Sequence, residues 1–169
     1  VLFSLVHVLL VGWLLGPLDA LTIDGVVSLY DPAKDHIVLL TQKNFDENVY
    51  NSDYVWFVEF YAHWCGACQR YSKHWREVAK ETRPWHNRVV KVAAINCGDT
   101  FNQPMCQAHN IQHYPTLRLF PVRAQSSRAN RDGTEVASDK PNDVLFRLLE
   151  FVEKQENRPA AWPDLEPYT

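Results

Sequence analysis

"EFYAHWCGACQRY", Glu59 to Tyr71, is the stretch whose reading decides the fold. Its two cysteines, Cys65 and Cys68, close an apolar run, "YVWFVEFYA" from Tyr54 to Ala62, and open a segment of helical period. The run is rich in β-branched and aromatic residues and lacks strict alternation, which predicts a central strand covered on both faces. Beyond it, Cys68, Tyr71, Trp75, Val78, Ala79 and Thr82 recur at three- and four-residue steps. Arg70, Lys73, Arg76, Glu77 and Lys80 take the other side, so the spacing predicts a helix with one buried stripe, ended with the help of Pro84. A Cys-X-X-Cys pair at such a junction is a redox couple, half of a metal site or a structural crosslink.

Working outward, a short strand is expected at Ile37 to Leu40, followed by a helix from Gln42 to Tyr50 capped by Thr41. "VVKVAAINC", Val89 to Cys97, reads as another buried strand, with a short helix at Pro104 to His109 and a strand at Thr116 to Phe120. Val122 to Asp139 is polar and predicts a loop leading to an edge hairpin. Val144, Leu145, Leu148, Leu149 and Val152 mark a last amphipathic helix. Strands and helices alternate, then strand, hairpin and helix close the unit. That order predicts an α/β fold, a three-layer sandwich around a central mixed sheet.

The flanks carry different signals. "VLFSLVHVLLVGWLLGPLDA", residues 1–20, is apolar to Leu15 and breaks at Gly16-Pro17, as the core of a secretory signal does, with its basic start missing. An N-terminal membrane anchor is the rival, but the run is short for a span. The mature chain is therefore expected in the secretory pathway (endoplasmic reticulum or Golgi) or outside the cell, with no membrane attachment, where disulfides persist. "ENRPAAWPDLEPYT" holds three prolines and no period, so residues 157–169 read as a linker or tail after a domain at 21–156. The chain has 169 residues, 46% hydrophobic, with a net charge of -3. This suits one ordinary globular domain and gives no basic field to recruit nucleic acid.

The chemistry follows from putting Cys65 at the tip of the helix. The thiolate attacks disulfides, and unpaired amide N–H groups together with the helix dipole favour negative charge at that tip. Cys68 lies one turn in, on the same face, pointing toward the protein body. Cys65 is thus expected to form a mixed disulfide and Cys68 to resolve it. Glu59, in the middle of the apolar run, is expensive to bury ionised, so its pKa is expected to rise. A buried acid there can exchange a proton with Cys68; the alternative is a glutamate that reaches an edge or a buried lysine.

"VEFYAHWCGAC" with "YPTLRLF" downstream resembles the thioredoxin fold as found in protein disulfide isomerases. The resemblance implies a cis Tyr114-Pro115 bond that brings Pro115 beside the active-site disulfide. Tyr114 would then offer backbone hydrogen bonds to an extended substrate. "INCGDTFNQPMC", the leading "SLYDPAKDHIVLL" and the trailing "WPDLEP" are similar to the first thioredoxin domain of quiescin sulfhydryl oxidases. That likeness implies a structural disulfide between Cys97 and Cys106. It also implies cysteine-containing protein substrates and a separate flavin-bearing helical domain as electron acceptor. FAD is expected in that domain and no cofactor in this chain. One departure matters: Ala67 stands before Cys68 where those families carry His, which leaves the oxidising strength of the pair open. His63 either substitutes partly through its charge or lies exposed at the strand end and does little.

Two other readings compete. Zinc would use Cys65 and Cys68, but Cys97 and Cys106 form no second tight knuckle, and Pro115 breaks the helix that His109 and His113 would need. No metal is expected. A redox-inactive peptide-binding or chaperone module would keep the fold and line a groove with Trp64, Tyr71 and Tyr114.

Overall fold

A computed structural model of the chain describes residues 21–23, 26–85, 88–127, 131–138 and 140–163. The expected signal at residues 1–20 and the end of the expected tail at 164–169 lie outside the described residues. Strands β1 (Leu21–Ile23) and β2 (Val26–Ser28) pair antiparallel in a small sheet of their own, which sequence patterning did not anticipate. The body follows as β3 (Val38–Leu40), α1 (Phe45–Val49), β4 (Val55–Tyr61), α2 (Gly66–Glu81), β5 (Val90–Asn96), α3 (Gln103–Ala108), β6 (Thr116–Phe120), β7 (Thr134–Glu135) and α4 (Pro141–Glu153). The main sheet has the order β3-β5-β4-β6-β7. β3, β5 and β4 run parallel, whereas β6 and β7 are antiparallel additions at one edge. This is the expected α/β sandwich with a mixed sheet.

β4 lies at the centre, and all seven of its residues are buried. Side chains alternate between faces along a strand, and two cores result. Val55, Phe57 and Tyr61 pack with Cys68, Trp75 and Val78 of α2 and Val144, Leu148 and Val152 of α4. Trp56, Val58 and Phe60 pack with Phe45 and Val49 of α1 and Cys106 of α3. Trp75 is fully buried, edge-on to Phe57 with ring centroids 4.8 Å apart. Truncating such a side chain to alanine costs about 3–5 kcal/mol.

Helix ends explain the local differences from sequence expectation. The helix expected from Gln42 starts only at Phe45, because Asn44 takes the N-cap position. Its side-chain oxygen accepts from the Thr41 backbone N–H at 2.7 Å, so Thr41 sits in a turn instead of capping. α2 ends where Thr82 Oγ1 donates to the Val78 carbonyl at 2.9 Å, and Pro84 follows within a 3-10 turn, Arg83–Trp85. Within the expected tail, Trp162 folds back: its indole N–H donates to the Asp53 carbonyl at 3.1 Å and its ring packs on the α2/α4 core. Among the described residues, no helix is long and apolar enough to cross a membrane.

Candidate active site

β4 ends at Tyr61, and after a link of four residues, 62–65, α2 starts at Gly66 with Cys65 as its N-cap. An N-cap side chain accepts from an amide that the helix leaves unpaired. Here the Cys68 backbone N–H points at Cys65 Sγ, 3.4 Å away. Cys65 is half-buried and Cys68 fully buried, and both are free thiols. Burial pushes the Cys68 thiol well above its usual range, and its contact with Cys65 and the charge of Glu59 add to the rise.

Glu59 belongs to the same face of β4 as Phe57 and Tyr61, the face that meets α2. It is completely buried, and burial raises its carboxyl from 4.5 to about 8. A hydrogen bond from Tyr30 and the charge of Arg76 moderate that rise. Tyr30 Oη donates to Glu59 Oε2, while among the described residues Oε1 has no hydrogen-bond partner. Neither a sheet edge nor a lysine accommodates the carboxylate: a buried phenol does.

The Tyr114-Pro115 peptide is cis, immediately before β6. The Tyr114 carbonyl oxygen lies 3.7 Å from Cys65 Sγ, so this loop and the helix tip face each other. Trp64 is 64% exposed and stands edge-on to the Tyr114 ring at 6.3 Å. A groove of about 440 Å³ beside Pro115 is lined by Tyr71, His113, Thr116, Val136 and Ser138.

His63 is held rather than free at the strand end. It is half-buried, its backbone N–H donates to Asn96 Oδ1 at 3.2 Å, and its Nδ1 lies 3.1 Å from Asn96 Nδ2. Gly98 closes the same corner. A Cβ there would come within 2.8 Å of Trp64 Nε1 and 2.9 Å of His63 Nδ1. Ala67 is exposed and brings no imidazole.

Cys97 and Cys106 are joined by a disulfide between the end of β5 and α3. Both belong to the α1/α3 core, across the sheet from Cys68. His109 is buried against Phe45, Phe60 and Phe120, and burial lowers it to about 4. His113 is apart from it, 3.4 Å from Glu135. Among the described residues, no group of three or more His, Cys, Asp or Glu side chains is placed to hold a metal ion.

Sequence reasoning missed Tyr30, Asn96 and Gly98. Tyr30 sits in "SLYDPAKD", which reads only as a turn before a strand. Nothing local to that segment signals that its phenol will meet a carboxylate from β4. Asn96 and Gly98 flank Cys97, and the dense turn chemistry of "INCGD" is the one signal that pointed toward them.

A half-buried thiol capping a helix, with its partner sealed one turn below it, defines a dithiol domain of the thioredoxin class. Residues 36–140 match the family model described as thioredoxin, and the chain belongs to that family. It is 33% identical to Sulfhydryl oxidase 1 of Cavia porcellus over 84% of this chain and 23% of that protein. It is 37% identical to the Protein disulfide-isomerase A6 homolog of Drosophila melanogaster over 62% of this chain and 23% of that protein. The chain thus spans about a quarter of the length of these relatives. Among solved structures it is similar to the J-Trx1 fragment of ERdj5, with a TM-score of 0.62 and 25% identity over 76% of this chain and 55% of that one. Fold, paired thiols and relatives together support a thiol–disulfide oxidoreductase.

Proposed function

We propose that the chain exchanges disulfides with cysteine-containing proteins of the secretory pathway, as the substrate-oxidising thioredoxin module of a quiescin-type sulfhydryl oxidase. The observation that carries the reading is the asymmetry of the two thiols. Cys65 is half-buried at a helix tip with an amide N–H aimed at its sulfur, whereas Cys68 has no exposed surface. Only the first can meet a bulky partner.

In the oxidising direction a substrate thiolate attacks Cys65 Sγ of the Cys65–Cys68 disulfide. The S–S bond breaks and Cys68 leaves as a thiolate, which takes a proton. A second substrate thiolate then attacks the substrate sulfur of the mixed disulfide, releasing Cys65. The substrate gains a disulfide, and its two electrons stay on the Cys65/Cys68 dithiol. Glu59 is the proton donor and acceptor for Cys68, because a carboxyl near 8 exchanges protons readily at neutral pH. The groove beside Pro115 and the exposed Trp64 offer an extended substrate its seat. In this reading the chain binds no cofactor, and the dithiol is reoxidised by a flavin-bearing module.

The test is limiting alkylation of the reduced protein, paired with oxidation of a reduced protein substrate in a glutathione buffer. Cys65 is expected to label first, Cys65→Ser to abolish exchange and Cys68→Ser to accumulate a mixed disulfide. Earlier labelling of Cys68, or exchange that survives both substitutions together, would overturn the reading.

A further inference from the structure

The catalytic pair and Glu59 come from β4 and α2, but the side chain that holds Glu59 does not. Tyr30 lies between β2 and β3, before the residues 36–140 that match the family model. It is completely buried, and three groups fix it in place. Its backbone N–H donates to Ser28 Oγ at 3.1 Å, its ring stands edge-on to Tyr61 at 5.4 Å, and the Arg76 guanidinium lies 5.4 Å from its ring centroid. Arg76 in turn ties this leading segment to α2, donating to the Leu29 carbonyl and, at 3.1 Å, to Asp35 Oδ2. Among the described residues no lysine or arginine forms an ion pair with Glu59, so the phenol is its one polar contact.

We propose that Tyr30 is the positioning residue for the buried acid. Its O–H holds Glu59 Oε2 and so presents the unpartnered Oε1 to the inner thiol. The proposal rests on the thiol–disulfide reading above and names what sets the pH at which its inner step runs. When Cys68 resolves a mixed disulfide, its S–H proton passes to Glu59 and its sulfur bonds to Cys65 Sγ. The bond from Cys65 to the substrate sulfur breaks, and the substrate leaves as a thiolate. Tyr30 keeps its own proton throughout. Burial and the charge of Glu59 hold the phenol well above its ordinary range, so it stays a donor.

A donor aimed at a carboxylate favours the ionised form, the form that accepts the Cys68 proton. The titratable and charged groups around this pair are Tyr61 from β4, Cys68 and Arg76 from α2, and Cys65 beyond Cys68. Burial holds the Tyr61 phenol and the Cys68 thiol above their ordinary ranges, and Cys65 carries no proton while it is bonded to the substrate sulfur, which leaves Glu59 as the group whose midpoint Tyr30 controls.

The experiment follows release of glutathione from a Cys65–glutathione mixed disulfide by Cys68, in stopped flow, from pH 5 to 10. Tyr30→Phe keeps the ring and removes the donor. A hydrogen bond to a charged group corresponds to roughly one pH unit or more, so the midpoint is expected to move upward by that amount. In a Glu59→Gln background the same substitution has no carboxylate to act through, and the midpoint is expected to stay. A midpoint unmoved by Tyr30→Phe, a loss of rate without movement, or the same movement in the Glu59→Gln background would each overturn the assignment. If the unsubstituted protein releases no glutathione at any pH, the thiol–disulfide reading fails, and this inference falls with it.

Discussion

Glu59→Gln probes the buried acid through stability, independently of any turnover. Burial lifts the folded carboxyl from 4.5 to about 8, so at neutral pH the folded chain holds a proton that the unfolded chain has released. A raised folded pKa means that this group's contribution to stability is complete below about 4.5 and is lost as pH climbs through about 8. Each pH unit in that window corresponds to about 1.4 kcal/mol, and the stretch from pH 5 to pH 8 to about 3–4 kcal/mol. Glutamine does not titrate. Its amide accepts from Tyr30 but buries an unpartnered NH2, a penalty of about 1–3 kcal/mol that is the same at every pH. The difference between the two proteins therefore tilts with pH whatever its offset. The assay is urea unfolding at pH 5, 6, 7 and 8 in non-reducing buffer, in a Cys65→Ala background that prevents the active-site pair from changing redox state. The gap is expected to move in favour of glutamine by roughly 1 kcal/mol per pH unit. A gap that stays constant from pH 5 to 8 would show that Glu59 ionises as an ordinary surface carboxylate does, and the proposed proton exchange with Cys68 would lose its basis.

Two further outcomes test the sulfur chemistry. The Cys97–Cys106 bridge closes a short loop, with a sequence separation of 9. Cys97→Ala with Cys106→Ala is expected to lower unfolding stability by about 2–3 kcal/mol, read by urea denaturation at fixed pH. Ala67→His restores an imidazole at an exposed position just before Cys68. When protonated it favours the Cys65 thiolate and thus the reduced pair, so titration against glutathione is expected to show a couple more oxidising by on the order of 20–40 mV. An unchanged or lower potential would contradict that account of the departure at residue 67.

The elements that carry the site were legible because their signals are local. The apolar run at Tyr54 to Ala62 has the β-branched and aromatic content of a strand buried on both faces, and the stripe from Cys68 to Thr82 has the period of a helix packed on one side. Together they place Cys65 at a helix tip before any coordinate is known. What stayed hidden depends on contacts between distant segments. Tyr30 reaches Glu59 across 29 positions, and Asn96 reaches His63 across 33. Trp162 meets Asp53 across 109. Periodicity carries no information about such meetings, and a proline-rich stretch gives no hint that one of its aromatic residues will dock. The start of α1 differs for a smaller reason: Thr41 and Asn44 both suit an N-cap, and residues 42–44 form a turn before the helix begins at Phe45.

The parity of β4 explains why the two sulfur pairs have such different surroundings. Glu59, like Phe57 and Tyr61, faces α2, so the acid shares a core with Cys68 and lies beneath the half-buried thiol. Cys97 leaves β5 toward the opposite core, where α3 supplies Cys106 and Phe45, Phe60 and Phe120 close over the region. Both members of that bridge are 3% exposed. A thiolate from outside reaches a sulfur only where the backbone leaves one uncovered, and among these four cysteines that is Cys65. A one-residue slip of β4 would turn Glu59 into the α1/α3 core and take from Cys68 the proton acceptor proposed above. The seven paired positions between β4 and β5 and the five between β4 and β6 hold that register from both sides. The strand that makes the core is thus also the element that sets the free thiol pair of Cys65 and Cys68 on one side of the sheet and the Cys97–Cys106 bridge on the other.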